Sequence, residues 1–332
     1  MSSGEMFLVG DITGDLEKKG CRAGFGDALL ELAEDMPELV VLTGDLADST
    51  RVAPFAAAHP SRFFDMGVAE QNMMGVAAGL AIGGKVPFLT SYATFSPGRN
   101  WDQFRVSVAY TEANVKVVGA HAGLSVGPDG ATHEALEDIA IVRVLPGVTV
   151  VVPCDYEQAR LATHALAHHR GPDYIRFGRE NTPVFTTPRT PFELGRAQVY
   201  RDGSDVTIVG CGPLVHEALL AASQLAEEGI SARVVNSHTV KPLDVETIVR
   251  CAEETGAIVS VEEHQVTGGL GGAIAEALAR NRPTPMEFVG MPDSFGESGK
   301  AGELLEKWGL TAPSITRKVR AVLARKASVL TT

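Results

Sequence analysis

Basic residues are in short supply in this 332-residue chain. The 29 Lys and Arg stand against 41 Asp and Glu, a formal net charge of −12 at pH 7. Such a balance argues against a nucleic-acid backbone or an anionic membrane as the main partner. An anionic small ligand would then need a local cluster of cations. Cysteine is scarce too: Cys21, Cys154, Cys211 and Cys251 lie far apart, with no C-x-x-C and no His/Cys grouping. Neither a disulfide framework nor a zinc site is supported. No apolar run has the length that spans a bilayer. The N-terminal MSSGEMFLVGD lacks the basic start and apolar core of a signal peptide. These absences lead to the expectation of a cytoplasmic protein with no membrane or nucleic-acid partner.

What is present is an α/β balance, 45% hydrophobic and 21% charged, with a length that suits two domains. Short apolar runs rich in β-branched residues alternate with helical patterns. Strands are expected at 39–45, 86–92, 115–121, 148–153 and 173–178, and helices at 69–83, 101–113, 133–145 and 155–170. The Pro- and Thr-rich RENTPVFTTPRTPFELGRA then breaks the periodicity. A second β/α series follows, closing on two helices. The expected fold is therefore α/β: two consecutive α/β domains, each a mainly parallel sheet flanked by helices. Domain one covers 1–186, a linker 187–203, and domain two 204–332.

In open parallel sheets ligands sit beyond the C-terminal strand ends. Four such turns carry chemistry. TGDLADST brings Asp45, and SYATFSPGRNWDQ brings Tyr92, Phe95 and Trp101. The Gly-rich GAHAGLSVGPDGATHE brings His121, Asp129 and His133. RFGRENTP brings Arg176 and Arg179 as local cations. Singly, each has a structural reading: Asp45 as a turn residue, the aromatics as core, PDG as a β-turn, Arg179 as a surface ion-pair partner. Together at one sheet edge they suit a sugar or sugar phosphate. A further oddity is FDMGVAEQNMMGVAAGLAIGGK, where Glu70 is the one charge between Asp65 and Lys85. A carboxylate buried in such surroundings needs a partner.

Other patterns point to structure. TGGLGGAIAEAL has the wrong spacing for a dinucleotide loop and reads as a tight turn with close helix packing. His164 and His168 are four apart, with His169 adjacent, but no fitting carboxylate or cysteine accompanies them, so a solvated face is expected. Cys154 has no adjacent base in the sequence and reads as structural.

The motifs MGVAEQNMMGVAAGLA, TF, GAHAGLSVGPDGATHEALED and FGRENTP, in this order, resemble the pyrimidine-binding domain of transketolases. VNSHTVKPLD and VEEHQVTGGLGGAIAEAL resemble the transketolase C-terminal domain. The resemblance covers nearly the whole chain. It implies thiamine diphosphate as the cofactor, carbohydrate chemistry of the pentose phosphate type, and transfer of a ketol unit between phosphosugars. By the same resemblance Glu70 bonds N1′ of the cofactor's aminopyrimidine and activates it. Phe95 stacks on that ring, with Trp101 as the expected second wall and Tyr92 as the alternative. Asp45 is the acid near the cofactor at the subunit boundary. His121, Asp129 and His133 contact the sugar, the two histidines also serving catalysis, and Arg179 binds the substrate phosphate.

The GDG signature of the family's diphosphate- and metal-binding domain is absent: the GD pairs here read GDI, GDL, GDA and GDL. The resemblance therefore implies the C-terminal half of a split transketolase. Its N-terminal partner subunit would share the cofactor and hold the divalent metal, Mg²⁺ or Ca²⁺, in an α2β2 assembly. Competing expectations are the β subunit of a 2-oxoacid dehydrogenase E1, a deoxyxylulose-phosphate-synthase-like enzyme, and a regulatory partner that kept the fold. His121, Asp129, His133 and Arg179 favour a hydroxylated phosphosugar over a small oxoacid.

Overall fold

The computed structural model describes residues 7–330. The first six residues, where part of the signal-peptide reading falls, lie outside the described residues. The chain folds into two consecutive α/β units, as its alternating pattern predicts. The first is a seven-stranded sheet in the order Thr239–Lys241, Thr149–Val151, Asp173–Arg176, Lys116–Ala120, Val86–Tyr92, Leu39–Thr43, Phe63–Asp65. Six of these strands are parallel, and Thr239–Lys241 pairs antiparallel with Thr149–Val151. Strands such as Leu39–Thr43 and Lys116–Ala120 are buried along their whole length, because helices cover both faces.

The second unit is a five-stranded sheet in the order Met286–Met291, Ile258–Gln265, Val206–Gly210, Ala232–Asn236, Gln198–Arg201. Residues 198–201, expected in the linker, thus form an antiparallel edge strand on Ala232–Asn236. The two units are stitched together. Thr239–Lys241 comes from the second series yet extends the first sheet, and one apolar cluster runs from Leu42, Met73 and Val117 into Val209, Ile248 and Ile274. Arg176 completes the seam. Its Nε donates to Asp138 Oδ2 at 2.7 Å and its Nη2 donates to the Glu263 carbonyl at 2.8 Å. Arg176 is therefore a buried interdomain tie, and the expectation that it serves as a ligand cation is corrected: its charge is already matched by Asp138.

The expected helix at 133–145 begins only at Asp138. Turn bonds from the amides of His133 and Glu134 to the Gly130 carbonyl, and a bridge between Ala122 and Ala135, hold 133–137 outside it. His133 is thereby kept on a loop. TGGLGG is the close turn expected. The Leu270 and Gly271 amides donate to the Glu262 carboxylate at 2.7 and 2.8 Å, so the protein's own acid caps that helix N-terminus. A Cβ at Gly269 would lie 2.1 Å from that carboxylate, which explains the glycine. His164 does find a carboxylate, Glu31 at 2.7 Å on the facing helix Cys21–Asp35, and His169 pairs with Asp173. All four cysteines are free and buried, and burial pushes the Cys154 thiol up, consistent with an inert structural role. Among the described residues no helix is long and apolar enough to cross a membrane.

Candidate active site

Because the central strands run parallel, their C-terminal ends share one edge, and the loops leaving it meet there. Glu70 opens the helix Glu70–Ile82 and is 1% exposed. Its Oε2 accepts from Arg99 Nη1 at 3.0 Å, while its Oε1 is buried without a partner. Asn100 anchors the neighbouring loop by donating to the Glu70 carbonyl at 3.1 Å. Gly44 packs beside it: a Cβ there would be in van der Waals contact with the Gly67 carbonyl, Ser91 Oγ and Glu70 Oε1, at 3.5, 3.6 and 3.9 Å. The buried Ser91 hydroxyl also lacks a partner. A buried, unsatisfied carboxylate oxygen is an acceptor left for a donor-bearing heterocycle.

Beside it lies an aromatic array. Tyr92 stacks on His121 with centroids 3.9 Å apart and on Phe95 at 5.9 Å. His133 meets the rings of Phe95 and Tyr92 edge-on, at 5.4 and 6.2 Å. Tyr92, Phe95, His121 and His133 are thus brought together. Trp101 is not among them, which corrects its expected place as a second wall. Its indole N–H donates to the Ile141 carbonyl at 2.7 Å and its ring packs on the hydrophobic core. Trp101 opens the short helix after the loop and packs on that core, whereas Tyr92, at the strand end, stacks on His121.

His121 is 2% exposed, with φ +52° and an unpartnered Nδ1. Burial first, then the charges of Arg22, Arg179 and His133, push its imidazole down to about 3. The ring stays neutral at working pH and can both donate and accept a hydrogen bond. Asp45, with φ +61°, follows Gly44; its amide donates to Asp65 Oδ1 at 3.1 Å and its side chain is exposed. Two non-glycine residues in the left-handed region on loops of the same edge are a form of strain that clusters at functional sites. Asp129 is exposed at the end of the turn Leu124–Asp129, with no side-chain hydrogen bond among the described residues. Arg179 is half-buried and donates to the Val126 carbonyl at 3.0 Å.

Arg22 escaped the sequence reading. It lies near the start of the helix Cys21–Asp35, outside the post-strand loops. Its Nη1 donates to the Ser49 carbonyl at 2.9 Å, and burial, then Arg51 and Arg179, lower its pKa. Like charges gathered this way in an acidic protein create a local field for an anion. The scarcity of basic residues was a signal that could have singled it out. Arg99 escapes the sequence reading as well: within SPGRNW nothing local distinguishes the arginine from a surface charge.

Behind His133, Glu134 is 4% exposed, and burial, then Glu263, push its carboxyl up to about 7. A raised acid binds its proton more tightly in the folded state, so the stability it contributes is complete below its unfolded value near 4.5 and is lost as pH rises through 7. Glu134→Gln is expected to raise stability at pH 8 by on the order of 1 kcal/mol and to change little at pH 4. Urea midpoints at both pH values measure this; an equal shift at both would contradict it.

The chain matches the family model for the transketolase pyrimidine binding domain over residues 17–184 and that for the transketolase C-terminal domain over residues 195–315. It is 44% identical to a putative transketolase C-terminal section of Methanocaldococcus jannaschii, over 91% of this chain and 95% of the relative. It is 46% identical to the 6-deoxy-6-sulfo-D-fructose transketolase subunit SqwH of Clostridium sp. (strain MSTE9), over 94% of this chain and 97% of that one. A solved split gene transketolase, an inactive β4 tetramer, superposes with a TM-score of 0.86 at 45% identity, covering 93% of this chain and all of that one. With its two domains matched in order, the chain belongs to the transketolase family, and it is similar along most of its length to C-terminal subunits of the split kind.

Proposed function

We propose that this chain is the C-terminal subunit of a thiamine-diphosphate-dependent transketolase that moves a two-carbon ketol unit from a ketose phosphate to an aldose phosphate. The observation that carries the reading is the meeting, at one sheet edge, of a buried carboxylate with a free oxygen, a ring array and paired arginines. Thiamine diphosphate, when bound, supplies the carbon nucleophile that side chains lack. The Glu70 carboxylate would accept a hydrogen bond from the protonated ring nitrogen of the aminopyrimidine and hold that proton in place. Phe95 and Tyr92 give the ring a flat apolar neighbour. Asp45, exposed at the same sheet edge, would face the part of the cofactor held by the partner.

His121, neutral at working pH, and His133 orient the sugar carbonyl and hydroxyls and pass protons at those oxygens; Asp129 is assigned to a hydroxyl as well. Arg22 and Arg179 hold the terminal anionic group as charge-assisted donors. The diphosphate and its divalent metal, Mg²⁺ or Ca²⁺, belong on an N-terminal partner subunit, and the working assembly is α2β2. Self-association of β chains has a parallel in the tetrameric relative. A second reading concerns the anion. The 46% identical subunit is named for a sulfonated fructose, and an arginine pair accepts sulfonate as readily as phosphate.

The test is to combine this chain with its N-terminal partner, thiamine diphosphate and Mg²⁺, and to assay ketol transfer from phosphorylated, sulfonated and uncharged ketoses to an aldose phosphate. Transfer from one of the anionic donors is expected. Arg22→Ala and Arg179→Ala should each raise KM for that donor about 10–100-fold and spare kcat. Absence of transfer from all donors, with 2-oxoacid decarboxylation instead, would remove the transketolase reading. Equal KM losses for charged and uncharged donors would remove the anion assignment.

A further inference from the structure

Arg99 makes two contacts that the proposed cofactor ring would also need. Its guanidinium pairs with the Glu70 carboxylate, Nη1 to Oε2 at 3.0 Å, and lies over the Phe95 ring at 4.6 Å from the centroid. A guanidinium is flat, rich in N–H donors and prone to stack on aromatic faces. An aminopyrimidine is also flat, donates from its amino group and, once protonated, from a ring nitrogen, and stacks in the same way. The two groups therefore compete by shape and by hydrogen bonding for one carboxylate and one ring face.

The way Arg99 is mounted suits a group that leaves. Its side chain is 49% exposed, so the outer half already meets water. Its backbone stays put for reasons unrelated to the guanidinium. The Arg99 amide donates to the Phe95 carbonyl at 2.8 Å. The next residue, Asn100, is fully buried and donates from Nδ2 to both the Glu70 carbonyl and Ser96 Oγ, each at 3.1 Å. The loop is pinned to the helix carrying Glu70, and only the side chain needs to rotate. The pair also answers the solvation problem of Glu70: with Arg99 in place, an otherwise apolar stretch carries a matched charge.

We propose that Arg99 competes with the aminopyrimidine of the cofactor for the Glu70 carboxylate and the Phe95 face, so that its guanidinium must swing outward for loading and sets how tightly the cofactor is held. This deepens the function proposed above and rests on it. A half-exposed ion pair and a half-exposed cation–π contact are each weak, so together they make a modest barrier that a tight ligand overcomes. The apparent dissociation constant is the intrinsic one divided by the fraction of subunits with Arg99 turned out.

The experiment is calorimetric titration of thiamine diphosphate, with Mg²⁺, into the chain reconstituted with its N-terminal partner. Wild type, Arg99→Ala and Arg99→Lys are compared. Arg99→Ala is expected to bind about tenfold more tightly than wild type. Arg99→Lys keeps the charge pair but loses the flat face, and its affinity should fall between the two. An unchanged or weaker affinity in Arg99→Ala overturns the competition, a weaker one making Arg99 a cofactor contact. Should Arg99→Ala fail to fold or pair, Arg99→Lys decides alone: tighter than wild type supports the proposal, and equal or weaker refutes it. If the wild-type pair takes up no cofactor, the function reading falls together with this one; if it binds and neither variant tightens, only the role of Arg99 falls.

Discussion

Glu70→Ala is expected to lower ketol transfer by the reconstituted pair about 10²–10⁴-fold, the range usual for loss of a positioned acid or base. The carboxylate is the only titratable group on the helix Glu70–Ile82, and its buried Oε1 has no hydrogen-bond partner. Arg99 retains its loop anchor in this variant and turns to solvent, while Asn100 keeps its bond to the residue 70 carbonyl. The helix and the loop should hold their places, so the melting temperature and pairing with the partner should stay near wild type. The loss should appear in kcat and kcat/KM together, because the interaction matters when the cofactor is activated and not when sugar binds. Wild-type rates in a folded, paired Glu70→Ala protein would end the cofactor-activation role. Glu70→Gln refines the reading: an amide can still occupy the site but cannot trade a proton, so it should be nearly as slow.

Lys116→Met is expected to cost about 3–5 kcal/mol of stability, the usual result of removing one member of a buried ion pair. Lys116 and Asp173 are both 0% exposed, face each other in the strand register, and approach to 2.5 Å. The ammonium also donates to Asn114 Oδ1 and to the carbonyls of His169 and Gly171. Burial lowers the lysine pKa and Asp173 opposes that shift. Removing the lysine leaves the Asp173 carboxylate with His169 at 2.8 Å as its remaining side-chain partner. Both residues begin their strands, at the end of the sheet opposite the site. The variant should therefore unfold at lower urea while its folded fraction keeps wild-type KM. Lys116→Met combined with Asp173→Leu should recover part of the loss, because no uncompensated charge remains. A urea midpoint unchanged in the single variant would contradict this account.

Much of the fold was legible because the pattern is local. Strands Leu39–Thr43 and Val86–Tyr92 sit where the apolar runs predict, since a strand buried on both faces must be apolar at consecutive positions. The helix expected at 133–145 was less legible. Its periodicity is real from Asp138 onward, but bonds to Gly130 and Ala122 come from residues outside that pattern. Strand Thr239–Lys241 was missed for the same reason: what makes it a strand is the edge of a sheet laid down earlier in the chain. At the candidate site, the loops named by the post-strand rule do converge, and Tyr92, Phe95, His121 and His133 touch. Trp101 and Arg176 share their types and neighbourhoods but not their directions.

The sequence by itself determined the α/β class, the order of the two units, the sheet edge where the candidate residues gather, and Glu70 as the lone charge of its apolar stretch. Each follows from periodicity or composition within a short window. Only the tertiary structure decided which polar side chains face that edge. Arg22 reaches it from a helix, Arg176 is spent on Asp138 at the seam, and Trp101 turns into the core. It also supplied the partner of Glu70, Arg99, whose place beside the acid depends on a loop pinned across space by Asn100. Side-chain direction and charge pairing are settled by contacts between distant segments, and no window of sequence contains both members of such a contact.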